Sequence, residues 1–146
     1  MNTGFLNEAL DVRTGNGADD SLLEPLFFNR RNGDFLRAPI GSTTDGLSTP
    51  KIIRILPGYD ATGDDWWSGV FHDSGYRNFM QVFNGVWVGF HPTRKKCDHL
   101  ILEAMATQGV GWWRRHIIFV ALRLFGGFAF RSDRRKFSLG TIVPKQ

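Results

Sequence analysis

Three helical stretches lie between Trp66 and Phe125, the second and third closed by glycine stop signals, and they fix the kind of fold this chain can adopt. The first follows Asp64-Asp65, whose carboxylates suit the positive end of a helix, and is expected to run from about Trp66 to Met80. Pro92-Thr93 caps the second, which keeps its period over 94–108 until Gly109. The third spans about 111–125 and is expected to stop at Gly126-Gly127. Upstream, the apolar run Leu22–Phe28, the Asn32-Gly33 turn and FLRAPI read as a β-hairpin, with Pro39 at a strand end. Segment 41–50, GSTTDGLSTP, reads as an ordered loop, and Lys51–Leu56 as one helical turn before Pro57-Gly58. Residues 81–92 read as a glycine-punctuated loop or short hairpin. The expected fold is therefore α+β: a small, mainly helical domain with an N-terminal hairpin packed on two or three helices. Residues 21–127 make the globular unit, 1–20 a loosely packed N-terminus, and 128–146 a basic tail, extended or disordered.

Composition narrows the functional classes. The single cysteine cannot form an internal disulfide or a Cys₄ zinc site. The longest apolar run, Ile117–Leu122, has six residues, against about 20 for a membrane-spanning helix. MNTGFLNEALDVR has neither the basic start nor the apolar core of a secretory signal, so synthesis in a cytoplasm is expected. Charge is divided: residues 1–73 carry 6 basic and 11 acidic side chains, whereas 74–146 carry 12 and 3. A basic, aromatic-rich half suits nucleic acid, anionic lipid or an acidic partner, or else complementary faces within one fold. Nucleic acid is disfavoured, since no zinc pattern, recognition helix or RNP-like strand accompanies the charge. Residues 112–125, with Trp112, Trp113, Arg114, Arg115 and Arg123, have the makeup of an interfacial helix. Packing on the domain with arginines at the rim is the favoured reading of that segment.

One position in the second helical stretch stands out. Asp98, Ile101, Leu102 and Met105 share a face, so a carboxylate heads an apolar stripe that should point inward. An inward carboxylate is costly unless paired, hydrogen-bonded or bound to metal. The first helix offers the partner in His72-Asp73-Ser74-Gly75-Tyr76, where His72 and Tyr76 share a face and Asp73 projects about 100° round from His72. A carboxylate-oriented imidazole is the arrangement of a general base or of a metal-ligating histidine. A histidine satisfied by one hydrogen bond in a helix pair is the plain alternative. Gly69 and Gly75 point to a close neighbour on that helix. Cys97 reads as a small core residue, and His91 and His99 as surface residues or extra ligands. Phosphohydrolases with paired His-Asp metal motifs are excluded, because they need a histidine upstream and His72 is the first in the chain.

Two resemblances carry these residues further. His72-Asp73-x-x-Tyr76 with a later Asp98 is similar to the catalytic helix pair of secreted phospholipases A2. In that family the histidine activates water, the adjacent aspartate binds calcium and the later aspartate orients the histidine. The glycine-rich calcium loop and the disulfides of those enzymes are missing here, so the similarity is one of motif. The fuller resemblance rests on Pro39, Gly41, Thr44, Asp45, Gly46, Ser48 and Pro50, then His72, Asp73 and Tyr76, then Arg94 with Asp98. Over about residues 20–110 this order resembles the phage and prophage family called Domain of Unknown Function 1353. Ser42 stands where that family has Phe, and 81–92 is a longer insert.

The second resemblance implies a phage or prophage origin and a cluster of Asp45, Ser48, His72, Asp73 and Asp98. Three carboxylates near one imidazole repel unless a cation or protons intervene, and a divalent metal would relieve them and activate its water. The expectation is a hydrolase-like centre acting on cell-wall or lipid material. His72, Asp98 and Ser48 would be catalytic, Asp73 and Asp45 metal-binding, and Tyr76 and Arg94 supporting. The alternative is a virion or tail-assembly protein in which the same cluster is structural, with other phage structural proteins or bacterial envelope material as partners. Thr44-Asp45-Gly46 would then be an Asx-turn tying the loop to the helices. The protein would be made in the host bacterial cytoplasm and end, on the second reading, in the virion.

Overall fold

A computed structural model describes residues 3–6, 12–13, 20–44 and 66–137. Its strands are β1 (Gly4–Phe5), β2 (Val12–Arg13), β3 (Asp20–Leu22), β4 (Leu26–Asn29), β5 (Phe35–Ala38), β6 (Thr43–Thr44), β7 (Gln81–Phe83) and β8 (Trp87–Gly89). The helices are α1 (Trp66–Tyr76), α2 (Arg94–Thr107) and α3 (Trp112–Lys136). One antiparallel sheet has the order β1-β4-β5-β7-β8 and a smaller one the order β2-β3-β6, so the fold is α+β as expected.

The expected hairpin is β4-β5, with Leu26 opposite Ala38 and Phe28 opposite Leu36. Gly33, at φ 89°, supplies the left-handed residue of its turn, and Asn32 Oδ1 accepts from the Asp34 amide at 3.0 Å. Strand alternation sorts the side chains. Leu26, Phe28, Leu36 and Ala38 are buried against Val70 and Phe71 of α1 and Leu100 and Ala104 of α2. Phe27, Phe35 and Trp87 cluster on the other face, with the Arg37 guanidinium 4.4 Å from the Trp87 ring centroid. Residues 81–89 form the shorter of the two structures expected there, a hairpin whose β7 strand extends the sheet from β5. Within the segment expected to be loosely packed, Gly4 and Phe5 pair with Asn29 and Phe28, and the Phe5 ring contacts Phe28, Trp67 and Phe71.

Two helix ends differ from expectation. The first helix stops at Tyr76 because Asn78 takes φ 62°, and the amides of Phe79 and Met80 turn back to the Ser74 carbonyl. Asn tolerates the left-handed region better than other non-glycine residues, and this redirects Phe79 and Met80 into the core. The third helix does not stop at Gly126-Gly127 but continues to Lys136. Both glycines lie where a neighbour crowds the helix: a Cβ on Gly126 would fall 2.9 Å from the Tyr76 hydroxyl, and one on Gly127 2.7 Å from Arg94 Nη1. The signal that reads as a terminator is a close-packing device. Residues 128–136, expected to be tail, are held: Arg134 Nη2 donates to the carbonyls of Gly75 (3.0 Å) and Pro92 (2.7 Å), and Asp133 lies 3.7 Å from Arg77 Nε. Helix α2 starts as predicted, with Thr93 Oγ1 accepting from the Lys96 amide at 3.3 Å. The Lys51–Leu56 turn and the Asp64-Asp65 cap lie outside the described residues.

Candidate active site

The three helices pack on one another, and polar groups from each converge where they meet. Helix α2 turns Ile101 and Met105 into a second apolar cluster with Val110, Ile118, Ala121 and Leu122, so Asp98, on the same face, is carried inward. It is 0% exposed. Both of its oxygens are filled. Oδ1 accepts from the Tyr76 hydroxyl at 2.7 Å and lies 3.2 Å from His72 Nε2, and Oδ2 accepts from Arg123 Nη1 at 2.8 Å.

His72 and Tyr76 stand one turn apart on α1, with ring centroids 4.1 Å apart, so both reach the same carboxylate. His72 is 5% exposed. Its other nitrogen, Nδ1, has Asp73 Oδ1 at 3.8 Å, an ionic neighbour beyond hydrogen-bond length. The imidazole thus sits between two carboxylates. Close helix contact makes this possible: a Cβ on Gly75 would fall 3.0 Å from Cys97 Sγ, beside Asp98.

Electrostatics follow from that geometry. Burial opposes charge on His72, but Asp73 and Asp98 outweigh it and hold its pKa above the ordinary 6.5. Burial likewise opposes charge on Asp98, yet the donors His72, Tyr76 and Arg123 hold its pKa below the usual 3.8. Tyr76 is pushed up by burial and by the Asp98 carboxylate it donates to. When His72 is protonated, the Asp73 and Asp98 carboxylates, the imidazolium and the Arg123 guanidinium balance in charge.

Of the residues expected to gather, the structure brings together His72, Asp73, Tyr76 and Asp98. Asp45 and Ser48 lie outside the described residues. Arg94 supports at one remove: its Nη2 donates to the Arg123 carbonyl at 3.2 Å. Among the described residues no group of three or more His, Cys, Asp or Glu could hold a metal ion. The donor chemistry agrees, because Asp98 has no oxygen to spare and His72 Nε2 faces that carboxylate. The expected metal ligands are Asp73 and Asp45, and with Asp45 outside the described residues that pair is not seen together. Arg123 supplies one positive charge directly on Asp98, at 2.8 Å. Cys97 is the core residue expected, with its thiol pushed up to about 12, chiefly by burial. His91 and His99 are exposed.

Sequence reasoning missed Arg123 as a member of the site, placing it at a solvent rim. The signal was available: it is the one charged side chain within Ile117–Phe125, an otherwise apolar stretch. A charge there needs a partner as much as Asp98 does, and each is the other's.

Fold and site together define a small α+β domain organised around a buried His-Asp-Tyr-Arg network. A family model described as "Protein of unknown function (DUF1353)" matches residues 21–122, and the chain belongs to this phage-associated family. No curated protein and no solved structure matches the chain. The likeness to the phospholipase A2 helix pair is accordingly one of motif alone. No helix among the described residues is long and apolar enough to cross a membrane.

Proposed function

We propose that this protein is a phage-encoded hydrolase-like domain in which His72 accepts a proton from the attacking water, acting on lipid or cell-wall material. The observation that carries the reading is the unequal engagement of the two ring nitrogens. Nε2 meets Asp98, which Tyr76 and Arg123 hold in place, while among the described residues the carboxylate beside Nδ1 is Asp73 at 3.8 Å, beyond hydrogen-bond length. With Nε2–H donating to Asp98, the lone pair of the neutral ring lies on Nδ1. Asp98 would fix tautomer and orientation as a positioning residue. Asp73 favours the imidazolium that proton transfer creates. Because His72 holds its proton above pH 6.5, the active neutral form would grow as pH rises.

A second reading has an observation of its own. His72 is 5% exposed and Asp98 is fully buried and fully satisfied, as suits a polar staple joining three helices in a virion or tail-assembly protein. The two readings separate in one experiment. Wild type and His72→Asn, both checked for folding by circular dichroism, are assayed for fatty-acid release from ester-linked phospholipid vesicles and for solubilisation of purified peptidoglycan. The hydrolase reading expects activity on one substrate and a loss of about 100-fold or more in the variant. No activity on either, or equal activity in both proteins, leaves the staple.

A further inference from the structure

We propose that the outward face of α3 docks on the surface of an anionic phospholipid bilayer. The inner face of this helix is already used: Ile118, Ala121 and Leu122 fill the second apolar cluster, Gly126 meets Tyr76, and Arg123 reaches Asp98. Opposite it, Trp113, Ile117, Val120, Leu124 and Phe128 follow one another at spacings of three and four, hence on one line along the helix. Each is exposed, Trp113 by 75%, Leu124 by 69% and Phe128 by 77%. The row extends over about 22 Å at 1.5 Å per residue. Arg131 and Arg135, both exposed, continue the same line.

Charge decides what covers it. Among the 25 residues of α3 only Asp133 is acidic, and it lies beside Arg77, which is buried. Seven are basic: Arg123 is held inward on Asp98 and Arg134 on the Gly75 and Pro92 carbonyls, while Arg131, Arg135 and Lys136 are exposed and Arg114 and Arg115 half-buried. A second copy would bring these like charges together, and a protein seam of ordinary kind carries a rim of both signs. An anionic lipid surface accepts both features at once, the apolar row among the acyl chains and the arginines at the headgroups. Trp112 and Trp113 at the helix start have the amphipathic rings that favour the headgroup level. At the same end, a cleft of about 520 Å³ is lined by Arg30, Arg31 and Arg115 with Glu103, which pairs with Arg30. The face is suited to lie in the interface, since α3 has no window apolar enough to span. As the place where a substrate is met, this surface rests on the hydrolase reading; as a binding surface it is measured apart from it.

The test is flotation with large vesicles of ether-linked phosphatidylglycerol, beside ether-linked phosphatidylcholine, at about 0.1 M salt. Ether lipids resist ester hydrolysis, so binding is read without turnover. Wild type is expected on phosphatidylglycerol, weaker by about tenfold or more on phosphatidylcholine, and released by salt. The double variant Leu124→Glu/Phe128→Glu, folded by circular dichroism, is expected to lose at least about tenfold in binding. Wild type that ignores phosphatidylglycerol overturns the proposal, as does a double variant that binds like wild type. Self-association abolished by the same variant, with no vesicle binding, assigns the face to a second copy instead. Docking here without hydrolysis of ester lipids or peptidoglycan overturns the hydrolase reading alone, and hydrolysis without docking overturns this inference alone.

Discussion

Replacing Asp98 by asparagine keeps the shape of the side chain and removes its charge, which isolates what the buried carboxylate does. The asparagine carbonyl can still accept from Tyr76, now 2.7 Å from Oδ1, but the amide nitrogen takes the place of Oδ2. There it faces Arg123 Nη1 at 2.8 Å, donor against donor. Among the described residues His72 then keeps Asp73 as its neighbouring carboxylate. Breaking a buried ion pair by removing one partner costs about 3–5 kcal/mol. The Arg123 side chain is 33% exposed, so water recovers part of its solvation and the lower end, about 3 kcal/mol, is expected. For a chain of this size that lowers the thermal midpoint by roughly 10 °C. Urea denaturation followed at 222 nm, with wild type and variant compared at matched slopes, measures it directly. Adding Arg123→Met should remove the donor clash, so the double variant should be more stable than the summed single effects by about 1–3 kcal/mol. A loss under about 1 kcal/mol for Asp98→Asn, or strict additivity with Arg123→Met, would refute the claim that one shared carboxylate holds the three helices.

Two further outcomes follow from the same geometry. The His72 pKa is raised on folding, so its contribution is fully present below about pH 6.5 and lost as pH climbs through the folded value; the lowered pKa of Asp98 contributes above about pH 3.8 and is lost as pH falls through its folded value. Urea midpoints should therefore show the greatest advantage of wild type over His72→Asn near pH 5–6, and an advantage that grew above pH 7 would contradict the two-carboxylate environment. Gly126→Ala should destabilise by about 1–3 kcal/mol despite alanine's better helix propensity, because its Cβ would lie 2.9 Å from a hydroxyl fixed on Asp98. Gly127→Ala meets the far end of the long Arg94 side chain, whose other nitrogen donates to the Arg123 carbonyl, and should cost less than Gly126→Ala; thermal melts that rank the two in the opposite order would show that Tyr76 is not pinned.

The site was legible in the sequence wherever a local rule applied. A carboxylate heading an apolar stripe could be placed inside the fold from periodicity alone, and two partners one turn apart on another helix could be named from spacing. Arg123 escaped because its place in an apolar stretch says that it needs a partner without naming one, and the crossing of α2 and α3 that supplies Asp98 is not a local pattern; read singly, an arginine among apolar residues goes to the rim by default. The glycine pair at 126–127 failed for the same reason, since glycine marks a helix end and a close helix contact alike, and only the presence of Tyr76 and Arg94 opposite distinguishes them. These two errors share a consequence. Ending α3 at Phe125 severs Phe128, Arg131 and Arg135 from Trp113, Ile117, Val120 and Leu124, and the outward row then looks like a few stray apolar residues beside a basic tail. Carried through to Lys136, the same residues form one continuous face whose helix also supplies the arginine on Asp98. Helix α3 thereby bonds, through Arg123, the same carboxylate that lies 3.2 Å from His72. The network at the centre of the domain and the surface on its outside are two faces of a single helix.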